Sequence, residues 1–179
     1  MAEYNLPSAS NLGVGQYTSG AGGIADYNDA ATSITPIAMT AETWTTVTND
    51  GQGVATNVKY LPNGATSLMD LSTGQFDFSQ LGLGDNCFIR NDFSVTPQTN
   101  NALLELRYQL GTGAGSYTLQ TIVGRLDSGS GQAYRFSLSP HMIYMGDLNT
   151  KDNPITLQLK LSTNGTLTNA GSAIGVSKL

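Results

Sequence analysis

Asn101-Ala-Leu-Leu-Glu-Leu-Arg-Tyr-Gln-Leu110 puts Leu104, Leu106, Tyr108 and Leu110 on one side of an extended chain. Leu103, Glu105, Arg107 and Gln109 fall on the other side. A period of two with one apolar side is the pattern of a strand with one buried face. The run ends in Gly111-Thr-Gly-Ala-Gly115, and a second alternating run, Tyr117 to Leu126, follows at once. Two such runs joined by glycines predict a hairpin, the central one of an all-β domain.

Working outward from it, strands are expected at Thr43–Thr48, Asn57–Leu61, Ser67–Leu71, Gln75–Ser79 and Asn86–Thr96. On the far side they are expected at Ala133–Ser139, Met142–Met145, Ile155–Leu161 and Ala173–Val176. In Asn86–Thr96 the residues Cys87, Ile89, Phe93 and Val95 share a face, and Ile155, Leu157, Leu159 and Leu161 do so in the penultimate run. Turn signals separate the runs: Asn49-Asp-Gly51, Pro62-Asn-Gly64, Ser72-Thr-Gly74 and Asn164-Gly165. Asn164-Gly165-Thr166 also matches a glycosylation sequon and is read as a hairpin turn. No stretch offers an amphipathic helix, and no fixed-period repeat is present. Short strands at hairpin spacing define a β-sandwich or barrel. Its core is expected at Phe76, Phe78, Ile89, Phe93, Leu104, Leu106, Tyr108, Phe136, Leu157 and Leu159.

Residues 1–35 read differently. Ser8-Ala-Ser10, Gly13-Val-Gly15 and Ser19-Gly-Ala-Gly-Gly23 have neither period, and large apolar side chains are sparse. Such a segment cannot offset its own ordering entropy. It is expected to be an extended arm that orders on a partner, with Pro36 opening the folded domain, residues 36–179. Tyr4, Leu6, Leu12, Tyr17, Ile24 and Tyr27 would be its anchors, with Asp26 and Asp29 facing basic groups of the partner.

The 179 residues carry a net charge of -5 and only 12% charged side chains. That excludes a general nucleic-acid binder, and low charge suggests surface covered by partners. No Lys or Arg precedes Lys59, whereas Glu3, Asp26, Asp29, Glu42 and Asp50 do. The single cysteine, Cys87, allows no intrachain disulfide, which fits assembly in a reducing cytosol. Neither a signal peptide nor a membrane-length apolar run is visible.

Catalytic chemistry is not expected. His141 is the sole histidine, and Ser137 and Ser139 beside it lie in an extended run with no nucleophile elbow. One Cys and one His cannot make a zinc site. Gly111–Ser116 leads into a strand, so it is a hairpin tip and not a phosphate loop. Asp147, Asn149, Asp152 and Asn153 form an oxygen-rich loop without calcium-motif spacing, read as a solvated turn. Asp70 and Asp77 flank a tight turn with no aromatic platform for a sugar, so a glycosidase pair is not read there. No cofactor is expected.

From about Asn57 to Leu179 the order of features resembles the trimeric jelly-roll family shared by C1q and tumour-necrosis-factor-like domains. The resembling residues are Ser72-Thr-Gly-Gln-Phe-Asp-Phe78, Leu83-Gly-Asp85, Ile155–Leu161 and Ser172–Leu179. Asn86-Cys-Phe-Ile89 stands where that family carries an aromatic-rich Gly-Leu-Tyr strand. In style the chain is also similar to tailed-bacteriophage virion proteins, small head-decoration (cement) proteins and head fibres. The resemblance implies a jelly-roll sandwich with an N-terminal arm, built as a homotrimer. It implies a decoration protein on the capsid exterior, assembled in the host cytoplasm and bound to the major capsid protein. Neither nucleic acid nor membrane would be a partner. The alternative it implies is a head- or tail-fibre module recognising a host surface glycan.

Overall fold

A computed structural model describes residues 22–127 and 130–179. The chain forms β1 (Gly23–Asn28), a one-turn helix α1 (Ala31–Ile34), β2 (Ile37–Met39), β3 (Thr45–Thr46), β4 (Asn57–Tyr60) and β5 (Met69–Asp70). It continues through β6 (Gln75–Phe76), β7 (Asn86–Pro97), β8 (Ala102–Leu110), β9 (Tyr117–Leu126) and β10 (Tyr134–Tyr144). It closes with α2 (Leu148–Asp152), β11 (Thr156–Leu161) and β12 (Gly165–Ser177).

The pairing is a nested set of hairpins. Strand β8 pairs with β9 at the tip, β7 with β10, β3 with β11, and β1 with β12, all antiparallel. Two further antiparallel pairings, β12 with β7 and β11 with β8, roll this long hairpin into two sheets. One sheet has six strands, in the order β10-β7-β12-β1-β4 with β2 also on β12. The other has four, in the order β3-β11-β8-β9. That is a jelly-roll β-sandwich, and the hairpin expected at its centre is the innermost one.

The inward faces follow the sequence alternation. Cys87, Ile89, Phe93 and Val95 from β7 meet Leu104, Leu106, Tyr108 and Leu110 from β8, all buried. Phe76 and Phe78 stack at 6.1 Å and close one end. Phe136, expected in the core, is only half-buried, because β10 is an edge strand and its inward side chains flank the core instead of filling it. One polar tie crosses the interior: Asn91 of β7 donates to the Tyr108 hydroxyl and accepts from Ser172 Oγ at 2.9 Å. Burial pushes the Tyr108 phenol up and keeps it protonated. Burial likewise raises the Cys87 thiol to about 12, so it is inert.

Four expectations need correction. The folded domain does not begin at Pro36. Strand β1 lies inside the six-stranded sheet between β12 and β4, and α1 is fastened to β12 through Thr32 Oγ1, which donates to the Asn169 carbonyl at 3.0 Å. Asn164-Gly165 is not a hairpin turn, because β11 and β12 belong to different sheets; it is a corner between them. The runs placed at Ala133–Ser139 and Met142–Met145 are one strand that passes Pro140 through an irregularity between Leu138 and His141. An edge strand tolerates this, since its outer N–H groups have no partner to lose. The final strand is far longer than Ala173–Val176, because β12 runs thirteen residues and kinks between Asn169 and Gly171.

Candidate functional site

The chemistry-bearing side chains are engaged locally. His141 packs against Tyr108, ring centroids 5.3 Å apart, and desolvation lowers its pKa. Ser137 sits across from Asp92 on the other face of the strand. Asp147 caps α2, accepting from Thr150 N at 2.8 Å and Thr150 Oγ1 at 3.0 Å. Asn149 is tied to Thr112, Asn153 Nδ2 donates to the Asn149 carbonyl, and Asp152 pairs with Lys151. Asp70 accepts from Ser72 Oγ at 2.7 Å and Ser72 N at 2.9 Å, and Asp77 from Ser79 N at 3.0 Å. Asp70, Asp77 and Asp147 are thus turn or helix caps. Among the described residues no group of three or more His, Cys, Asp or Glu is placed to hold a metal ion.

The residues expected on the arm separate into three sets. Tyr4, Leu6, Leu12 and Tyr17 lie outside the described residues. Tyr27 is buried in this chain's own core, its hydroxyl accepting from Leu68 N at 2.8 Å. Asp29 is also buried, accepting from Thr32 N, Thr32 Oγ1 and Asp50 N. These two therefore cannot be anchors for another protein. Ile24 and Asp26 do face outward, but from the six-stranded sheet.

That sheet's outer face carries the least expected feature. Strand registers align Met142 of β10 with Phe88 of β7, Phe88 with Gly175 of β12, Gly175 with Ile24 of β1, and Ile24 with Tyr60 of β4. Residues directly opposite share a face, so the five form one row across five strands. Its four large side chains are exposed, from 40% for Phe88 to 58% for Met142, with exposed Tyr144 two residues on. Gly175 at the centre leaves the row shallow. The neighbouring row is Arg90, Ala173 and Asp26, with Arg90 paired to Asp92 at 2.8 Å. Phe88 was the one available signal, an aromatic on the polar side of the β7 alternation, shared with Arg90 and Asp92.

On the outer face of the four-stranded sheet the row around Trp44 is polar, whereas Ile122 of β9, opposite Glu105, is 65% exposed. The Arg107 guanidinium lies 4.3 Å from the centre of the Trp44 ring and Lys160 Nζ 5.0 Å from it. Arg107 Nε donates to Gln158 Oε1 at 2.8 Å, and Lys160 pairs with Glu105.

The chain reaches β1 through a slot. A Cβ at Gly22 would overlap the Val176 carbonyl, and one at Gly23 would lie 2.6 Å from the Tyr60 carbonyl oxygen. Residues 1–21 are thus attached at the end of the sandwich that also holds the C-terminus.

No protein-family model matches the chain, and no curated protein matches it. Among solved structures it is similar to the PRD1 vertex protein P5, with a TM-score of 0.37 and 16% identity over 91% of this chain and 99% of that one.

Proposed function

We propose that this chain is a structural virion protein: a homotrimeric decoration protein that binds the major capsid protein on the outside of a phage head and stabilises it. The observation that carries the reading is the apolar row Met142–Phe88–Gly175–Ile24–Tyr60. A jelly-roll sheet already has its buried side; a second, exposed apolar band on its outer side is surface left for association. Closed rotational symmetry lets one such face be covered in every copy without open-ended growth. The resemblance to trimeric jelly rolls supplies the number three.

The rest of the surface supports a structural role over glycan recognition. A glycan-binding tip needs aromatic platforms on the loops away from the N-terminal attachment. Those described loops are Thr40–Thr43, Gln98–Asn101, residues 130–133 and Ser162–Asn164, and none contains an aromatic residue. Trp44, next to one of them, already has Arg107 and Lys160 against its ring.

The test has two parts. Native mass measurement at micromolar concentration should give three copies, and cosedimentation should show the full chain on heads assembled without it, from the virus whose genome encodes it. A monomer that leaves heads bare sinks the reading.

A further inference from the structure

The sequence holds two Asn-Gly pairs, Asn63-Gly64 and Asn164-Gly165. An Asn side chain is vulnerable when glycine follows it, because no Cβ hinders the next backbone nitrogen from reaching the amide carbon. The fold treats the two pairs in opposite ways. Asn164 is pinned: its Oδ1 accepts from Ala41 N at 2.8 Å, and its carbonyl accepts from Gln98 N at 2.8 Å. Gly165 is buried in β12 between Pro97 of β7 and Met39 of β2, where a Cβ would lie 2.6 Å from the Thr96 carbonyl oxygen. That backbone cannot turn without breaking strand pairing. Asn63 and Gly64 are both exposed, on the turn after β4 that Ala65 N closes by donating to the Pro62 carbonyl at 3.0 Å. Gly64 has a φ of +87° with open space around it, and among the described residues no hydrogen bond holds the Asn63 side chain or Gly64 N. One contact is made there: Lys178 Nζ donates to the Asn63 carbonyl at 3.1 Å.

We propose that Asn63 is a site of spontaneous deamidation, that its product is isoaspartate, and that Lys178 receives the new charge. The Gly64 nitrogen attacks Asn63 Cγ. The N–Cγ bond forms, the Cγ–Nδ2 bond breaks, and the Gly64 amide proton leaves with the amino group as ammonia. A cyclic succinimide remains. Water then adds to a carbonyl carbon of the ring and opens it, and nothing is oxidised or reduced. Opening at the former side-chain carbon gives an ordinary aspartate. Opening at the former backbone carbon leaves the chain running through Cβ and Cγ and frees the old backbone carbonyl as a carboxylate. Lys178 favours the second route. Its ammonium already donates to that carbonyl oxygen, so it polarises that carbon toward water and pairs with the carboxylate released there. The change places a negative charge and an extra backbone carbon in the turn that follows β4, the strand carrying Tyr60. Nothing in this chemistry depends on a binding partner.

The experiment incubates the full chain in mildly alkaline buffer and follows its peptides by mass and by isoaspartyl methyltransferase labelling. In the folded chain the peptide holding Asn63 should convert at least about tenfold faster than the one holding Asn164. In denaturant that ratio should collapse toward unity, because the two pairs then differ only in their neighbours. A ratio near unity in the folded chain, or a reversed one, overturns the proposal. So does a ratio that persists undiminished after unfolding, which would assign the difference to sequence and not to the fold. Lys178→Gln changes one side chain next to the C-terminal residue. It should leave the rate of ammonia loss at Asn63 unchanged and lower the isoaspartyl share of the product. A share equal to the parent's overturns the part given to Lys178.

Discussion

The two outer faces of this sandwich solve different problems with the same alternation. On the four-stranded sheet, Glu105, Arg107, Gln158 and Lys160 are each matched by a partner across the strands, and Trp44 lies against the two cations. Those groups are satisfied within the chain, although Ile122 of β9, opposite Glu105, stands 65% exposed beside them. On the six-stranded sheet, one of the outward rows is Met142, Phe88, Ile24 and Tyr60 around a glycine, with polar neighbours only on the adjoining row. That face carries an exposed apolar row. The lesson is that strand alternation specifies which side is core, while the character of the other side has to be read across strands, row by row.

Breaking what both faces share should have the largest effect. Leu106 is fully buried between them, so Leu106→Ala should lower unfolding stability by about 2–5 kcal/mol, read from the denaturation midpoint. A loss under about 0.5 kcal/mol would mean that the strand's other face is the core. The next effect separates the faces. Phe88→Asp puts a charge at the middle of the apolar row without touching the interior, so the monomer should keep its melting temperature. If the proposed trimer closes through this row, its affinity should fall about 30-fold or more per contact, the cost of losing a central anchor of about 2 kcal/mol. Dilution followed by mass measurement reads this directly, and an unchanged trimer would show that the row is not the interface. Trp44→Ala is the matched experiment on the polar face. Two exposed cation–π contacts of about 0.5–1 kcal/mol each set its size, and the oligomer should be untouched. If Trp44→Ala dissociates the trimer and Phe88→Asp does not, the faces have been assigned the wrong way round.

The architecture was legible where one strand face is buried and the other is not. Strands β7, β8 and β11 carry six, five and three buried inward residues at alternate positions, enough for the period of two to show. Strand β1 could not be read that way: its inward residues are Ala25 and Tyr27, its outward ones Ile24, Asp26 and Asn28, and six residues next to a glycine run give no period. What places it is the length of β12, whose C-terminal half needs a second neighbour. The Asn164-Gly165 signal marked a reversal correctly but could not say that the reversal joins two sheets. The apolar row was illegible for a related reason. Each strand contributes one residue, at positions 24, 60, 88, 142 and 175, and only the registers bring them into line.

The smallest expected effect lies at the seam between the two faces. His141 points inward from β10 onto Tyr108 of β8, in a cleft lined by Thr121, Ile122, Val123, Leu138, Ser139 and Pro140, none of them charged. Desolvation is therefore the cause that lowers its pKa below the ordinary value of 6.5. A histidine held neutral in the folded state binds fewer protons there than in the unfolded chain, so stability rises with pH across the interval between the two values. Above 6.5 both states are neutral and the term vanishes; as pH falls below 6.5 the unfolded state gains a proton first and stability is lost, until the folded pKa is reached. Asp70 and Asp147 titrate in another window. Hydrogen bonds from Ser72 and Thr150 lower them from 3.8, so the stability they contribute is present above that value and lost only as pH falls past it. His141→Gln removes the titration and keeps a polar group of similar reach, so the acid slope that opens just below pH 6.5 should flatten while the carboxylate-dependent loss below 3.8 persists. Measured on Phe88→Asp as well as on the parent chain, the same slope also reports on the seam. A slope that steepens on assembly would show that association buries His141 further, and a slope that survives His141→Gln unchanged would show that another group titrates there.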